Sequence, residues 1–283
     1  KMKRSLQSLV VASLWLLAVV AGAQDQNFYV FLCFGQSNMD GFPAALEAAD
    51  KTGVDARFQV LAAIDFPDMG RKQGQWYTAV PPLFRPGNGL SPMDYFGRTL
   101  VAKLPAAIKV GIVPVAVPGC KIELFDEGAY QAYVEKSPGW MKNFVALYGG
   151  NPFRHLVNLG LEAKKVGVIK GILMHQGESN TDDPEWPNKV KVIYERLLTE
   201  LDLKAEDVPL IVGEVVAADQ KGACAPMNRI IDSLPKTIPT AHVVSAAGCG
   251  ARPPDNLHFS FEGYRLLGTR YGEAVFPLLR VQP

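Results

Sequence analysis

Three short peptides, far apart in the chain, combine residue types that could act together in a chemical reaction. Residues 35–39 read Gly-Gln-Ser-Asn-Met, residues 175–179 read His-Gln-Gly-Glu-Ser, and residues 255–260 read Asp-Asn-Leu-His-Phe-Ser. Together they supply a hydroxyl nucleophile, an imidazole base, a carboxylate that can orient the base, and polar donors for an oxyanion. The three peptides therefore predict acyl transfer through a serine.

Ser37 is the candidate nucleophile. It comes directly after the apolar run 28–34, which predicts a buried strand. A hydroxyl at the carboxyl end of such a strand faces the cleft in which open α/β sheets bind ligands. A serine that caps the following helix is the alternative interpretation. Residue 39 is Met, so the peptide is not the G-x-S-x-G nucleophile elbow.

Asp255 and His258 are the candidate acid and base. An imidazole can take the serine proton near neutral pH, and a carboxylate on its second nitrogen fixes the tautomer and stabilises the imidazolium. A surface aspartate and a histidine that caps a helix start are the alternative interpretation. His175 is a rival base, but no carboxylate lies three residues before it.

Three groups are candidate donors to the oxyanion: the backbone N–H of Ser37, the backbone N–H of Gly119, and the side-chain amide of Gln176. Gly119 follows the second predicted strand and Gln176 follows the third, at the same edge of the sheet. Loss of one such donor typically lowers kcat by ~10²–10³. Alternatively, Gly119 is simply a turn glycine, and the Gln176 side chain makes hydrogen bonds to backbone groups of the loop.

Two further residues are candidates for a supporting role. Glu178 could replace Asp255 as the acid, or it could accept hydrogen bonds from loop amides near Ser37. The second interpretation is favoured because the turn already places Asp255 beside His258. Asn38 is expected to stabilise the turn that follows the nucleophile.

Strands and helices alternate after residue 26. Strands are predicted at 28–34, 108–117, 168–174, 210–216 and 242–246, and helices at 93–104, 151–166, 190–201 and 264–278. Pro114 weakens the second strand or places it near a sheet edge. Asn151 and Ser260 are the expected N-caps of the second and fourth helices.

This alternation predicts an α/β fold, a three-layer α/β/α sandwich with a five-stranded, mainly parallel, flavodoxin-like sheet. Residues 40–92 are rich in glycine and proline and have weak periodicity. We interpret them as a loop-rich insertion within a single esterase domain that covers residues 24–283.

The N-terminal residues read as a signal peptide over 1–23. Basic residues precede the apolar stretch 9–20, and Ala-Gly-Ala at 21–23 fits cleavage after Ala23. The apolar stretch is short for a membrane span, and an uncleaved anchor is the alternative. Cleavage would change the net charge from +1 to −2. We therefore expect a secreted or periplasmic protein with no membrane span after cleavage.

Charge and cysteine usage restrict the partners. A net charge of +1 gives no indication of a nucleic-acid partner. The four cysteines and four histidines show no zinc spacing, and we expect neither a metal nor an organic cofactor. Export permits disulfides, and whether Cys224 and Cys249 pair is left open.

The three peptides resemble those of the SGNH-hydrolase superfamily. More narrowly, they are similar to the sialate O-acetylesterase-like group that includes carbohydrate esterase family six, the acetylxylan esterases. Residues 111–117 and 264–271 extend the resemblance, in the right order, over nearly all of the expected mature chain. The resemblance implies a nucleophile at Ser37, a base at His258 and an orienting acid at Asp255.

The resemblance also implies an oxyanion glycine after the second strand and a glutamine, here Gln176, where other SGNH enzymes use asparagine. The chain departs from the family pattern at two places. Pro-Gly-Cys at 118–120 stands where the family usually has Gly-Gly-Thr or Gly-Gly-Ser, which leaves Gly89 as the alternative oxyanion glycine. Asn180 stands where the family often has Asp, and we expect this change to affect substrate contacts.

From these residues we expect an esterase that removes O-acetyl groups from carbohydrates, of the acetylxylan type or a similar glycan, through an acetyl-enzyme intermediate. A sialate O-acetylesterase, or an esterase on another small acyl ester, is the alternative. A non-catalytic carbohydrate-binding protein on the same scaffold is a further alternative, because a fold does not fix a function.

Overall fold

The computed structural model describes residues 24–42 and 46–279. The predicted signal peptide at 1–23 lies outside the described residues. No helix of the described part of the chain is both long enough and apolar enough to cross a membrane.

The described residues form one sheet of seven strands. The strands are β1 (Phe28–Gly35), β2 (Phe58–Leu61), β3 (Trp76–Thr78), β4 (Lys109–Ala116), β5 (Val168–His175), β6 (Leu210–Gly213) and β7 (Ala241–Val244). Their order across the sheet is β3-β2-β4-β1-β5-β6-β7. All neighbouring pairs are parallel except β2 and β3, which are antiparallel.

The α/β class and the mainly parallel sheet are confirmed, but the predicted number of strands is wrong. The five predicted strands are β1, β4, β5, β6 and β7, and they lie in the flavodoxin-like order 2-1-3-4-5. β2 and β3 extend one edge of this sheet, and both come from the region interpreted as a loop-rich insertion. They contain only four and three residues, so pairing with β4 and with each other, rather than a clear local pattern, defines them.

β4 accommodates Pro114 although it lies inside the sheet. β2 pairs with β4 only from Val110 to Ile112, whereas β1 pairs along the whole of β4. Pro114 therefore lies past the end of β2, where one side of β4 has no neighbouring strand. A proline is tolerated there because its missing N–H removes no ladder hydrogen bond.

Nine α-helices flank the sheet in the described part of the chain. They are α1 (Ser37–Asp40), α2 (Pro92–Lys103), α3 (Tyr130–Lys136), α4 (Gly139–Leu147), α5 (Pro152–Lys164), α6 (Trp186–Glu200), α7 (Asn228–Ile231), α8 (Leu234–Thr237) and α9 (Phe261–Val275). The four predicted helices correspond to α2, α5, α6 and α9. Asn151 Oδ1 accepts from Arg154 N at 3.0 Å and Ser260 Oγ from Gly263 N at 3.1 Å, so both expected N-caps are present.

The hydrophobic core has two layers, one on each face of the sheet. Alternate residues of β1 supply both: Val30, Leu32 and Phe34 pack in the layer under α5 and α6, and Phe31 and Cys33 pack in the layer under α2 and α9. A strand buried on both faces explains the continuous apolar run seen in the sequence. The result is the predicted three-layer arrangement.

The four cysteines are free thiols, all within the described residues. Cys224 Sγ lies 3.6 Å from the carbonyl oxygen of Glu178, and Cys249 Sγ lies 3.5 Å from an Arg270 nitrogen. Cys224 and Cys249 therefore have separate surroundings and are not bonded to each other.

Candidate active site

The three peptides meet at the carboxyl edge of the sheet. Ser37 begins α1 directly after β1, residues 176–180 follow β5, and residues 255–260 lead into α9. The ends of β1 and β5 approach so closely that a Cβ on Gly35 would lie 2.0 Å from the carbonyl oxygen of His175. Only glycine fits at that point, and the close approach brings the first two peptides side by side.

Ser37, His258 and Asp255 form a continuous hydrogen-bonded array. Ser37 Oγ lies 3.0 Å from His258 Nε2, and His258 Nδ1 lies 2.9 Å from Asp255 Oδ2. Ser37 occupies the first turn of α1 and Gln36 is the N-cap, so the serine is not a helix cap. This geometry is that of a nucleophile, a base and an orienting acid.

The turn at 255–258 fixes the carboxylate before it meets the imidazole. Asp255 Oδ1 accepts from the backbone N–H groups of Leu257 and His258, at 3.0 and 3.2 Å. Burial opposes ionisation of this carboxyl, but the hydrogen bonds from His258 and from the two amides outweigh it and hold the pKa of Asp255 below its usual 3.8. The carboxylate is therefore ionised wherever an imidazolium could form beside it.

Glu178 is buried behind the array and does not take the place of Asp255. Its Oε1 accepts from Asn38 Nδ2 at 2.5 Å and lies 3.5 Å from His175 Nε2. Burial opposes ionisation, but the nearby His175 imidazole and the hydrogen bond from Asn38 lower the pKa of Glu178 below its usual 4.5. Its partner near Ser37 is the side-chain amide of Asn38.

Asn38 joins the nucleophile to the peptide that carries the base. Its Nδ2 also donates to the carbonyl of Leu257 at 3.0 Å, and its Oδ1 accepts from Phe259 N at 3.3 Å and Tyr264 Oη at 2.8 Å. Leu257 and Phe259 flank His258 in the chain. Asn38 therefore holds both sides of the base while its own backbone continues from Ser37.

His175, the rival base, faces away from Ser37. Its side chain is fully buried, with Nδ1 3.4 Å from Tyr271 Oη and Nε2 near Glu178. Its role in the described structure lies in the buried network beneath the site.

The array opens into a cleft of about 320 Å³. Eleven described residues line it: Gln36, Ser37, Phe42, Pro118, Gly119, Trp140, Phe144, Glu178, Ser179, Leu257 and His258. Aromatic and aliphatic side chains form most of its wall. The cleft can therefore hold a small organic substrate next to the serine hydroxyl.

Two backbone amides of the cleft lining are candidate donors to an oxyanion. Ser37 and Gly119 both line the cleft, and neither N–H has an acceptor among the described residues. Gly119 adopts a positive φ of 68°. The alternative glycine is not available, because the N–H of Gly89 donates to the carbonyl of Gly41 at 2.9 Å.

The structure does not bring the Gln176 amide into the cleft. The side chain is fully buried, and its Nε2 lies within hydrogen-bonding distance of Gln36 Oε1 and Asn180 Oδ1, at 3.1 and 2.7 Å. Its Oε1 accepts from Trp186 Nε1 at 2.5 Å. The predicted direct contact of this amide with an oxyanion is therefore corrected, because both ends of the amide are held by protein groups.

Gln36 is a polar cleft residue that the sequence analysis missed. It lines the cleft beside Ser37, and its Oε1 faces Gln176 Nε2 and the N–H of Ser179, at 3.1 and 3.3 Å. These donors fix the orientation of the amide, and its Nε2 has no acceptor among the described residues. Its position beside a candidate nucleophile was the available signal.

No group of three or more His, Cys, Asp or Glu side chains within residues 24–42 and 46–279 is arranged to hold a metal ion.

A parallel α/β sheet with a Ser–His–Asp array at the carboxyl ends of its strands defines a serine hydrolase. A family model described as "Carbohydrate esterase, sialic acid-specific acetylesterase" matches residues 27–277. The chain belongs to this family, and it is a carbohydrate acetylesterase.

Solved structures share the fold. A protein from Arabidopsis thaliana is 20% identical with a TM-score of 0.67, and the match covers 89% of this chain and 99% of that one. NanS is 18% identical with a TM-score of 0.62, over 91% of this chain and 99% of that one. A carbohydrate acetylesterase from Xanthomonas citri is 20% identical with a TM-score of 0.60, over 87% of this chain and 55% of that one.

Proposed function

We propose that the protein is an exported serine acetylesterase that removes acetyl groups from O-acetylated glycans of the acetylxylan type. The observation that carries the proposal is the array from Ser37 through His258 to Asp255, which opens into a cleft beside two free backbone amides. The residue roles that follow are part of the same proposal.

The first half of the reaction acylates the serine. Ser37 Oγ attacks the acetyl carbonyl carbon while its proton passes to His258 Nε2. The N–H groups of Ser37 and Gly119 donate to the oxyanion of the tetrahedral intermediate. His258 then returns the proton to the sugar oxygen, the ester bond breaks, and the alcohol leaves.

The second half releases acetate. Water gives a proton to His258 Nε2 as its oxygen attacks the acetyl-enzyme, and collapse of the second tetrahedral intermediate returns the proton to Ser37 Oγ. Asp255 stabilises the imidazolium in both halves. Gln36 Nε2 is a third donor candidate, and Gln176 acts on the site through Gln36.

The decisive experiment is acetate release by purified wild type and by Ser37→Ala. Acetylated xylan and p-nitrophenyl acetate serve as substrates. The loss should reach several orders of magnitude, because acyl transfer then has no nucleophile. Ser233→Ala is the matched control, since that hydroxyl bonds only the carbonyl of Ile230 in the described residues. A Ser37→Ala variant as active as wild type would overturn the proposal.

The family description favours a second candidate substrate, an O-acetylated sialic acid. Acetate release from O-acetylated sialic acid and from acetylated xylan, at equal ester concentration, separates the two. Esters with longer acyl chains test the size of the acyl pocket. Each added methylene typically lowers kcat/KM by about tenfold or more when the pocket has no room for it.

Export is proposed from the sequence at 1–23. Fractionation of the host that expresses the full chain, with N-terminal sequencing of the product, tests it. A mature N-terminus at Gln24 is the expected result, and an intact chain retained inside the cell would contradict it.

A further inference from the structure

Two exposed aromatic side chains of the described surface line one cleft. Trp140 is 51% exposed and Phe42 is 40% exposed, and both border the space in front of Ser37. Single exposed apolar residues are common, but large aromatics gathered at one concave site are typical of a binding surface. The acyl group that we propose is too small to need so large an apolar wall.

Trp140 lies directly beside the proposed oxyanion donor. A Cβ on Gly119 would come within 2.8 Å of the indole Cη2 atom. The indole therefore borders the proposed position of the ester. A group joined to the acetyl oxygen can contact this indole.

The indole is held by a chain of contacts that begins at the nucleophile helix. Trp140 packs edge-on against Phe144, with ring centroids 6.3 Å apart, and the Arg85 guanidinium lies 4.4 Å from the Phe144 centroid. Arg85 in turn forms an ion pair of 2.8 Å with Asp40, in the same helix as Ser37. A preorganised side chain loses little entropy when a ligand packs on it.

Two carboxylates lie close to the cleft. Glu178 holds a buried carboxylate behind the triad, and although burial opposes ionisation, the nearby His175 imidazole and the hydrogen bond from Asn38 keep its pKa below the usual value. Asp255 adds a second carboxylate behind His258. The nearby cation of Arg85 is already paired with Asp40. An anionic substrate would meet like charge in a partly desolvated space.

We propose that Trp140 is the platform on which the sugar ring of the substrate stacks, and that this sugar is uncharged. The apolar C–H face of a neutral pyranose packs on the indole while its acetyl group reaches Ser37. This inference rests on the proposed acetylesterase function, and it selects neutral O-acetylated glycans over acidic ones.

The kinetic test compares Trp140→Ala and Trp140→Tyr with wild type on acetylated xylo-oligosaccharides and on methyl acetate. For the glycan ester, Trp140→Ala should raise KM about tenfold, because the stacked apolar area returns to water. Trp140→Tyr keeps an aromatic face, so its KM for the glycan ester should stay within about threefold of the wild-type value. Methyl acetate has no ring to stack, so its KM in Trp140→Ala should stay within about twofold of the wild-type value. An equal loss on both esters, or no loss on either, overturns the platform.

A binding experiment tests the Trp140 platform even if the protein does not hydrolyse the ester. Acetylated xylo-oligosaccharides are titrated into Ser37→Ala and into Ser37→Ala/Trp140→Ala by calorimetry, with an expected affinity loss of about tenfold. If wild type is inactive but this difference appears, the proposed function fails and the platform stands. If wild type is active and the affinities are equal, the platform fails. Tighter binding of O-acetylated sialic acid than of the xylo-oligosaccharides overturns the inference of an uncharged sugar.

Discussion

At the scale of single residues, the site depends on side chains that hold the base from two directions. Asp255 fixes the His258 ring through Nδ1, and Asn38 fixes the backbone on both sides of it. The first contact stabilises charge that develops on the imidazole. The second sets the distance from the imidazole to Ser37. Loss of the first contact should therefore lower kcat more than loss of the second.

Asp255→Asn removes the charge and keeps the size of the side chain. We expect kcat to fall by about 10³–10⁴, because the imidazolium loses its counter-ion and the tautomer is no longer fixed. KM should change little. Steady-state acetate release measures both values, with Asp219→Asn as a control carboxylate at the exposed 217–221 turn. A larger loss from Glu178→Gln than from Asp255→Asn would show that Glu178 is the acid.

Asn38→Ala removes the contacts that position His258. All three triad side chains are still present in this variant. We expect kcat to fall by about 10²-fold, since a displacement of the base on the order of 1 Å is enough for such a loss. KM should stay within about threefold, which a general loss of folded protein would not produce. Asn188→Ala, whose side chain bonds only Glu185 at the surface in the described residues, is the matched control. A loss confined to KM would contradict the positioning role.

The pairing of Asp255 with His258 could be predicted from sequence because the two residues lie close in the chain. The D-x-x-H spacing of Asp255 and His258 sets their contact, so local sequence was sufficient. The direction of the Gln176 amide also depends on Gln36 and on the carbonyl of Cys120, which lie 140 and 56 residues away in the chain. No local pattern contains that information. For the same reason Gln36 was not recognised as a cleft residue.

At the scale of elements, strand ends and helix starts set the shape of the cleft. The predicted strands are long or continuously apolar, and burial on both faces leaves a clear pattern in sequence. β2 and β3 lie in the glycine- and proline-rich stretch 40–92, where the periodicity is weak, and they exist because β4 offers an edge. α4 was not predicted either, although it carries Trp140 and Phe144. Its apolar residues face both the core and the cleft, which obscures the helical period.

Gly119→Ala tests the loop after β4. The backbone there has a positive φ of 68°, and an added Cβ would meet Trp140 at 2.8 Å. We expect kcat to fall by about 10–10²-fold, because relief of the contact moves the proposed oxyanion donor. Gly70→Ala is the matched control, since it has a φ of 63° and nothing within 4 Å.

The comparison of Gly119→Ala with Gly70→Ala separates the effect of backbone strain on stability from an effect on the active site. Both alanine variants should lose about 1 kcal/mol of stability from the left-handed backbone. Urea unfolding measures this loss, and acetate release measures kcat. If Gly70→Ala loses as much kcat as Gly119→Ala, the effect of the second variant is global and the donor role of Gly119 is contradicted.

At the scale of the whole molecule, one buried junction ties the nucleophile helix to the layer of α2 and α9. Ser91 Oγ donates to the carbonyl of Met39 at 2.8 Å and accepts from Met93 N at 3.1 Å. The N–H of Ser91 donates to Asp94 Oδ2 at 2.8 Å. Asp94 Oδ1 is buried without a partner among the described residues. Burial raises the pKa of Asp94 to about 8.

This raised pKa makes the stability of the fold depend on pH. The folded protein keeps the Asp94 proton up to about pH 8, whereas the unfolded chain releases it near the usual 3.8. Between these values the folded state binds more protons, so the contribution of Asp94 to stability is greatest below the unfolded pKa and declines as pH rises through 8. The decline amounts to a few kcal/mol, since each unit of pKa difference corresponds to about 1.4 kcal/mol.

Asp94→Asn keeps the acceptor for Ser91 and removes the ionisation. Urea unfolding from pH 5 to 9 measures the free energy of unfolding of wild type and variant. The variant should become more stable relative to wild type as pH rises to about 8, and the difference should then remain constant. Asp40, whose pKa burial raises to about 6, remains in both proteins and cancels in this difference. Parallel stability curves would mean that Asp94 is ionised in the folded protein. The α1–α2 junction would then hold a buried carboxylate, stabilised by the positive charges of Arg71 and Arg98.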